Sequence, residues 1–313
     1  MLGLETSPYF RDLDWEKLKA FYYVAKVGNI SHAAQFLKVN QSSFSRSITA
    51  LEKHLGYPLF IRTRNGVTLN RTGKELFAIV ENIFVGMKGF TSRTYGITNQ
   101  RQNRKIRIAT NPAIASYILN ELILDYNKDH PDLVFEIMGV DQAVDVILYD
   151  VDIAIQPHNP KMDSVNNQVI QEPFFTLEKK LYASPQYLET YGEPITIDDL
   201  RYHHFIISST TEACPFGGVW GNLEPKVESE NECSPVFVSN SLECLIEAAK
   251  QGKGIICAYD KITILKNSAL KNILPDVTIQ KCQEYFAYPA YLKEDQDIMN
   301  IKKYLKIRMD KVD

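Results

Sequence analysis

The strongest constraint on the fold of this chain is a series of apolar residues at helical spacing near its N-terminus. Phe44, Ile48, Leu51 and Leu55 follow one another at intervals of three or four residues, so they occupy one face of a helix. Gly56 is expected to end that helix, because glycine readily adopts the left-handed conformation found after a helix C-terminus. The opposite face carries hydroxyl, amide and guanidinium groups, and it can therefore meet a polar partner.

Two shorter helices are predicted before this one. Ser31 is the predicted N-cap of the second of them, because its hydroxyl can accept a hydrogen bond from a free backbone N–H. Two helices joined by a tight turn form a helix-turn-helix, whose second helix reads the major groove of DNA. The apolar positions are Leu18, Phe21, Tyr22 and Ala25 in the first helix, which Gly28 ends, and Ala33, Ala34 and Leu37 in the second.

DNA contacts are predicted at the start of the third helix and in a β-hairpin after it. Gln can bond adenine, Arg can bond guanine, and Ser can bond bases or phosphates. Residues 58–62 and 66–69 have the pattern of two strands around a tight turn, a wing whose cations lie along the phosphate backbone. The alternative is an ordinary solvated helix face. The candidate DNA-binding residues are Ser31, Gln41, Ser42, Ser43, Ser45, Arg46, Thr49, Arg62 and Arg64.

The charge of the chain is distributed unevenly, although the formal net charge is only −3. Residues 1–105 carry 16 Lys+Arg against 7 Asp+Glu, whereas residues 106–313 carry 19 against 31. The net charges of the two parts are therefore +9 and −12. Only the N-terminal third is predicted to meet a polyanion.

The segment after the wing is predicted to be a long helix that pairs with a second copy of itself. Thr72 and Glu75 have the spacing of a capping box, and apolar residues then repeat near the heptad spacing. The alternative is a helix that packs on its own domain. Polar residues from Thr91 to Asn103 are interpreted as a hinge. The predicted dimerisation residues are Leu76, Val80, Ile83 and Met87.

From Ile106 onward short apolar strands alternate with helices, which is typical of an α/β domain with a largely parallel sheet. Lobe I is predicted at 104–173 and 272–313 and lobe II at 174–271. The predicted helices are 113–128, 142–148, one from 185, 241–251 and 295–308, and the predicted strands are 106–109, 134–138, 152–155, 179–183, 205–207, 236–238, 254–258 and 284–291.

In open α/β sheets, ligands bind at the carboxyl ends of strands and at the starts of helices, where free N–H groups and the helix dipole favour anions. Asn240 and Glu243 have the spacing of a further capping box. Asp141 would repel an anion, so the expected ligand is a small polar metabolite. The alternative for all these positions is ordinary capping and turn chemistry. The candidate effector-binding residues are Thr110, Asn111, Asp141, Gln142, Gln156, Ser208, Ser209, Thr210, Ser239 and Asn240.

A series of residues in the predicted helices and the wing matches a known signature. These residues are Ala33, Ala34, Leu37, Gln41, Ser45, Ile48, Leu51, Glu52, Leu55, Gly56, Leu59, Phe60, Arg62, Arg64, Thr68, Leu69, Thr72 and Gly73. The series resembles the DNA-binding signature of the LysR-type transcriptional regulators. Ser42 and Ser43 stand where that family often has Pro or Ala, so the general site carries over but the base preference does not. Later in the chain, Tyr182–Pro185 and Gly252–Ile255 are similar to the same family, which often has proline near Tyr259.

The resemblance implies a fold class: an N-terminal all-α winged helix-turn-helix with a helical linker, plus an α/β two-lobed effector domain similar to periplasmic solute-binding proteins. The implied domains are 1–71, 72–103 and 104–313. It also implies a cytoplasmic transcriptional regulator, not an enzyme, that binds double-stranded promoter or operator DNA and a small-molecule effector and needs no cofactor. The family further implies a homodimer that assembles to a tetramer, and RNA polymerase is an additional candidate partner.

Two alternatives remain open at this point: a redox-responsive regulator that uses Cys214 and Cys233, and a solute-binding protein without DNA function. Other classes lack a signature. The five cysteines form no CxxC pair, and no P-loop, GxGxxG, HExxH or Ser/His/Asp order is present. His203 and His204 have no Glu or Cys at metal-ligand spacing. No segment approaches the roughly 18 apolar residues of a membrane span.

Overall fold

The computed structural model of the protein describes residues 14–64, 66–97, 104–163, 168–209 and 235–310. These residues form two compact units, one of residues 14–97 together with Gln168 and one within residues 104–163 and 169–310. Each unit has a hydrophobic core of its own.

The first unit contains the predicted helix-turn-helix and wing. The strands β1 and β2 form an antiparallel hairpin in which Phe60 lies opposite Leu69. Asn65, which falls between the two strands in the sequence, lies outside the described residues. The elements are α1 (Trp15–Val27), α2 (Ile30–Phe36), α3 (Gln41–Leu55), β1 (Phe60–Thr63), β2 (Gly66–Leu69) and α4 (Arg71–Ile97).

Helix α3 buries the face that its sequence predicts. Phe44, Ile48 and Leu51 are buried in the core of the unit, and Leu55 is partly buried against it. Gly56 follows the helix with a φ of 84°, a left-handed conformation that glycine adopts without the steric cost of a Cβ. The predicted reading helix and its end are therefore confirmed.

The start of α2 and the start of α4 differ from the predictions, because an asparagine caps each of them. Asn29, not Ser31, is the N-cap of α2, and its Oδ1 accepts the Ser31 N–H at 2.9 Å. Asn70 Oδ1 accepts the Gly73 N–H at 2.8 Å, so the predicted capping box at Thr72 is wrong. In both cases the Asn Oδ1 accepts an N–H two or three residues ahead, so the cap lies two positions earlier than predicted.

Two contacts fix the hairpin to the helices. Glu52 Oε1 on α3 accepts the Leu59 N–H at 2.7 Å and the Phe60 N–H at 3.3 Å. On the other side, a Cβ added at Gly66 would lie 2.2 Å from the Gly28 carbonyl oxygen at the end of α1. Only glycine permits this close approach, so the start of β2 lies against the end of α1 while the start of β1 is bound to α3.

Helix α4 packs along α1 through aromatic rings and one ion pair. The Phe84 ring stacks on Trp15 and on Tyr22, with centroid distances of 4.7 and 4.5 Å. Lys26 Nζ lies 2.7 Å from Glu81 Oε1, and both side chains are largely shielded from solvent. These contacts determine which face of α4 is turned toward its own domain.

The hinge predicted from Thr91 to Asn103 is wrong at its start, because α4 continues as a helix to Ile97. Residues 98–103 lie outside the described residues.

The second unit is an α/β structure, and the predicted fold class is confirmed. Its strands are β3 (Arg104–Thr110), β4 (Leu133–Gly139), β5 (Ile153–Gln156), β6 (Val169–Ala183), β7 (Phe205–Ser208), β8 (Pro235–Ser239), β9 (Ile255–Tyr259), β10 (Lys271–Ile273) and β11 (Gln280–Pro289). Its helices are α5 (Pro112–Ile114), which continues through a π-helical turn (Ala115–Leu119) into α6 (Asn120–Asp129), then α7 (Pro185–Tyr191), α8 (Leu242–Lys250), α9 (Thr263–Lys266) and α10 (Gln296–Met309). Short 3-10 turns lie at Pro160–Met162, Asp198–Tyr202 and Ala290–Leu292.

The described strands of this unit form one sheet in the order β4-β3-β5-β11-β6-β9-β7-β8, and β10 pairs with β6. Strands β6 and β11 run antiparallel at its centre, where they join the group β4-β3-β5 to the group β9-β7-β8. The predicted change of lobe between 173 and 174 lies inside β6, which begins ten residues before the predicted strand at 179–183. In this register the carboxyl ends of β3 and β5 point toward the carboxyl ends of β7 and β9.

The predicted helix at 142–148 is wrong, because the segment forms irregular turns. The buried Gln156 side chain accepts the Val144 N–H at 2.8 Å and donates to the Val144 carbonyl at 2.9 Å. Asp145 Oδ1 accepts the N–H groups of Ile147 and Leu148. Side chains therefore take the backbone groups that a helix would have paired.

Candidate DNA-binding and effector-binding surfaces

The first turns of α3 form a polar surface. The Asn40 side chain accepts hydrogen bonds from both the backbone N–H and the hydroxyl of Ser42, at 2.9 and 2.8 Å. Arg46 Nε donates to the Ser42 carbonyl at 3.3 Å, and Thr49 Oγ1 donates to the Ser45 carbonyl at 3.1 Å. The helix thus holds its polar side chains close to its own start. Of the predicted residues, Gln41, Ser42, Ser43, Arg46 and Thr49 are exposed and Ser45 is half-buried.

The remaining predicted DNA-binding residues lie on other elements of the same unit. Arg62 and Arg64 are exposed on the hairpin, and Ser31 is exposed in the first turn of α2. Because Glu52 ties the hairpin to α3, these two cations have a fixed relation to the reading helix.

The predicted dimerisation residues divide between two faces of α4. Val80 is buried in the core of its own unit, and Leu76 packs against that core. Ile83 and Met87 are exposed, and Ile79 is exposed as well. Val80 is therefore held in the core of its own unit, and pairing through Leu76, Ile83 and Met87 stays a prediction. The outward apolar stripe includes Ile79, Ile83 and Met87.

The carboxyl end of β3 carries an unusual hydroxyl group. Thr110 is 1% exposed, and its Oγ1 has no hydrogen-bond partner among the described residues. A buried hydroxyl without a partner carries an unfavourable desolvation free energy, which a ligand atom could relieve. Asn111 next to it caps α5, because its Oδ1 accepts the Ala113 N–H at 2.9 Å.

The other predicted residues of this strand group differ in what they can do. Gln156 is buried, and both atoms of its amide bond the backbone of Val144. Its observed role is to hold the 142–148 segment in place. Asp141 and Gln142 are exposed in the turn that replaces the predicted helix.

The second strand group brings three serines together at the ends of β7 and β8. Ser208 lies opposite Ser239, and the Ser209 N–H donates to the Ser239 carbonyl at 3.0 Å. Ser241, not Asn240, is the N-cap of α8 and accepts the Cys244 N–H at 3.4 Å. The capping box predicted at Asn240 is therefore wrong, and Asn240 is exposed. Thr210 lies outside the described residues.

Sequence reasoning missed a contact between the two strand groups. Tyr117, in the π-helical turn, donates its phenol proton to Glu243 Oε1 on α8 at 2.5 Å. The two residues are 126 positions apart, and no local pattern could have linked them.

A second missed residue is Glu284, on β11 where that strand crosses between the groups. Its side chain is 2% exposed, and Oε2 has no hydrogen-bond partner among the described residues. Burial raises the pKa of Glu284 to about 7, against the opposing influence of Lys179. Tyr259 and Cys282 lie close by, and burial raises their pKa values as well. The only signal in the sequence is that the acidic Glu284 lies two and four residues before the apolar Phe286 and Tyr288, which are buried on the same strand.

His203 and Cys257 have the environments of residues with a structural role. His203 is buried, its Nδ1 lies 3.1 Å from the Tyr187 hydroxyl, and burial lowers its pKa. Burial raises the pKa of Cys257 to about 11, so its thiol stays protonated and unreactive at neutral pH. Cys214 and Cys233 lie outside the described residues. Within the described ranges no cluster of His, Cys, Asp or Glu could hold a metal ion, and no helix is long and apolar enough to cross a membrane.

A winged helix-turn-helix followed by an α/β domain with converging strand ends defines a DNA-binding regulator with a ligand-sensing domain. Residues 15–74 match the bacterial regulatory helix-turn-helix protein, lysR family, and residues 99–292 match the LysR substrate binding domain. The chain belongs to the LysR family of transcriptional regulators. Members of this family bind DNA and small-molecule effectors and form oligomers, and neither alternative considered above gains support.

Individual relatives agree with this assignment. The HTH-type transcriptional regulator CrgA of Neisseria meningitidis serogroup C is 24% identical over 245 residues, which cover 78% of this chain and 79% of CrgA. The HTH-type transcriptional activator TtdR of Escherichia coli is 23% identical over 261 residues, 83% of this chain and 82% of TtdR. The full-length structure of AphB, a Vibrio cholerae virulence activator of the LTTR family, has a TM-score of 0.51 at 19% identity and covers 95% of this chain and 99% of AphB. At that identity the structure shows a shared fold alone.

Glu284→Gln is expected to change how stability depends on pH. The unfolded Glu284 carboxyl loses its proton near its ordinary pKa of 4.5, whereas the folded one keeps it until about pH 7. The folded state therefore binds more protons in this window, and its stability falls as pH rises from 4.5 to 7 and remains at the lower level above. Between pH 4.5 and pH 8 wild type should therefore lose on the order of 3 kcal/mol of stability, a loss that the variant should not show because it has no carboxyl group at this position.

Urea unfolding between pH 5 and pH 8 measures this difference. Glu247→Gln, on the exposed side of α8, is the matched control. Its free energy of unfolding should fall with pH as steeply as that of wild type. If the free energy of unfolding had the same pH dependence in wild type and Glu284→Gln, Glu284 would not be held protonated in the fold.

Proposed function

We propose that this regulator binds a roughly palindromic DNA duplex as a dimer and that a small polar molecule bound between the two strand groups controls it. The observation that carries the DNA part is the exposed polar start of α3 beside the cations of the hairpin. In such an arrangement side chains on the helix read base edges, and cations on the wing bind phosphates.

The effector site is proposed at the converging strand ends. Thr110 supplies a buried hydroxyl that has no partner among the described residues, and in the other strand group Ser208 ends β7 and Ser209 follows it. A ligand that bonds to Thr110 and to these serines would favour an arrangement in which the two strand groups are closed around it. It would shift the equilibrium between the open and closed arrangements by its difference in affinity for them. About 1–3 kcal/mol of coupling changes DNA affinity several-fold or more.

Further assembly follows from the family rather than from this chain alone. We propose that dimers formed through α4 associate to a tetramer, that the protein works in the cytoplasm with the DNA, and that RNA polymerase is its partner at the promoter. No cofactor besides the effector is required for this scheme.

Arg46→Ala and Arg64→Ala are expected to have different effects on DNA binding. Arg46→Ala should reduce the preference for the best genomic promoter fragment over random duplex by about 1–3 kcal/mol, because a base contact is lost. Arg64→Ala should weaken binding to all duplexes alike and reduce the salt slope by about one, because a phosphate contact is lost. Titrations over a salt series measure both effects.

Lys250→Ala removes one positive charge from the second unit and serves as the control, with binding like wild type. Equal loss of preference in both arginine variants would mean that these two roles are wrongly assigned. No preference of the wild-type chain for any promoter fragment would contradict the regulator function itself.

Ile83→Asp is expected to dissociate the dimer. Pairing along the outward stripe of α4 would bury the new carboxylate in an apolar seam, so the dissociation constant should rise by roughly a hundredfold or more. Light scattering over a concentration series measures the change. Lys74→Asp, on the exposed surface of the same helix, should leave the oligomer intact. An unchanged oligomer in Ile83→Asp would place the interface elsewhere.

Thr110→Val is expected to weaken effector binding without weakening the fold. The substitution removes a buried hydroxyl that has no partner, so the unliganded protein should be as stable as wild type or more stable. Binding of a metabolite found by thermal-shift screening should weaken by roughly 5- to 20-fold in Thr110→Val and in Ser209→Ala. Thr190→Val, on α7, is the control. A metabolite that binds equally well to wild type and both variants would rule out this site.

A further inference from the structure

Two buried polar side chains that lack a partner among the described residues lie on one face of the sheet. In the pairing of β3 with β5, Thr110 lies opposite Ile155, and in the pairing of β5 with β11, Ile155 lies opposite Phe286. Side chains of directly paired residues point to the same face of a sheet, and so do side chains two positions apart on one strand. Glu284, two residues before Phe286, therefore shares a face with Thr110.

The distance between the two groups is one that a small molecule can span. Tyr285 lies opposite Gln156, the last residue of β5, so Glu284 is level with the first position beyond the carboxyl end of that strand. Two strand spacings and a rise of two residues separate the Cα atoms of Thr110 and Glu284 by roughly 12 Å. A ligand whose polar ends are about 6 Å apart spans this distance with one hydrogen bond of about 2.9 Å at each end.

Glu284 is the more demanding of the two groups, because a buried carboxylate needs a counter-charge. It is 2% exposed, and its Oε2 has no hydrogen-bond partner among the described residues. Lys179 is the cation that influences its pKa, but the Lys179 ammonium lies over the ring of Tyr259, 5.6 Å from the centroid. The Tyr259 hydroxyl in turn bonds to Cys282. These titratable neighbours on β6, β9 and β11 are thus engaged with one another.

We propose that Glu284 binds a positively charged group of the effector, so that the effector is a small amine whose other polar end bonds to Thr110. A buried carboxylate is stabilised chiefly by a cation, because a neutral donor does not offset the cost of desolvating the charge. An anionic effector would instead approach a group of its own sign. This inference rests on the proposed effector function of the second unit and makes Glu284 its specificity-determining residue.

The proton on Glu284 gives amine binding a characteristic pH dependence. Burial raises the pKa of this carboxyl to about 7, so roughly a tenth of it is ionised at pH 6 and roughly nine-tenths at pH 8. An aliphatic amine stays protonated over this range, and burial raises the pKa values of Tyr259 and Cys282 away from it. Because an ammonium group binds the ionised carboxylate, its affinity should rise about tenfold from pH 6 to pH 8. An anion that binds the protonated form would show the opposite dependence.

A library of matched compounds tests the proposal in the full-length chain. It contains the common amino acids, the amines that they give on loss of carbon dioxide and the acids that they give on loss of the amino group. Thermal shift at pH 8 should find that compounds with an ammonium group stabilise the protein and that the matched acids do not. Calorimetry at pH 6, 7 and 8 then measures the Kd of the amine that stabilises wild type most.

Glu284→Gln keeps the size of the side chain and removes its charge. At pH 8 this variant should bind that amine about tenfold more weakly than wild type, or weaker still, and its affinity should be the same at pH 6 and pH 8. Glu247→Gln, the same substitution on the exposed side of α8, should behave like wild type. Thermal unfolding and binding to promoter DNA verify that each variant is folded.

Equal affinity of wild type and Glu284→Gln for the amine, or an affinity that falls as pH rises, overturns the proposal. Selective binding of the matched acids also overturns it, and so does a library in which no compound binds. If an acid binds and its binding is weakened in Thr110→Val, the proposed effector site stands and only the charge assigned to the effector is wrong. The proposed function itself fails if wild type prefers no promoter fragment over random duplex.

Discussion

The second unit depends on the pairing of two strands, β6 and β11. They run antiparallel from Gln280 opposite Lys179 to Pro289 opposite Val169. Strand β5 attaches to β11 and strand β9 attaches to β6, so each strand group is held through this one ladder. Pairs so distant in sequence cost loop-closure entropy, which burial must offset. Leu177 and Phe286, both fully buried on these strands, belong to the core that does so. A ligand that moves one group against the other must act on this ladder.

The first unit has a comparable constraint in the contact between α1 and α4. Desolvation of the Lys26–Glu81 pair is costly, and losing one partner would leave an uncompensated buried charge. The pair therefore favours one rotational setting of α4 on α1. That setting turns Val80 inward and Ile83 outward, so an interaction inside one chain decides which apolar side chains a second copy can meet.

Local patterns predicted the parts of the fold whose partners lie nearby in sequence. Helix α3 and the hairpin were predicted because apolar periodicity and turn residues act within a few positions. The 142–148 segment has apolar residues suitable for a helix, but the Gln156 side chain takes the backbone groups of Val144. In the candidate sites, the exposed start of α3 and Thr110 could be predicted because each lies at the end of a predicted helix or strand. The bond from Tyr117 to Glu243 depends on how two distant helices pack, which periodicity does not encode.

Because of the π-helical turn between α5 and α6, the position of Tyr117 depends on the number of residues in this part of the chain. Such a turn contains one residue more than an α-helical turn. In a regular α-helix each residue rotates by about 100° about the axis, so a chain one residue shorter here would carry Tyr117 to a different side of its helix. The side chains of α6 could keep their places in the core while the phenol no longer faced Glu243. A deletion of one residue would thus remove the contact of Tyr117 with Glu243 and leave the packing of α6 in the core. Sequence identity at the remaining positions would not reveal that loss.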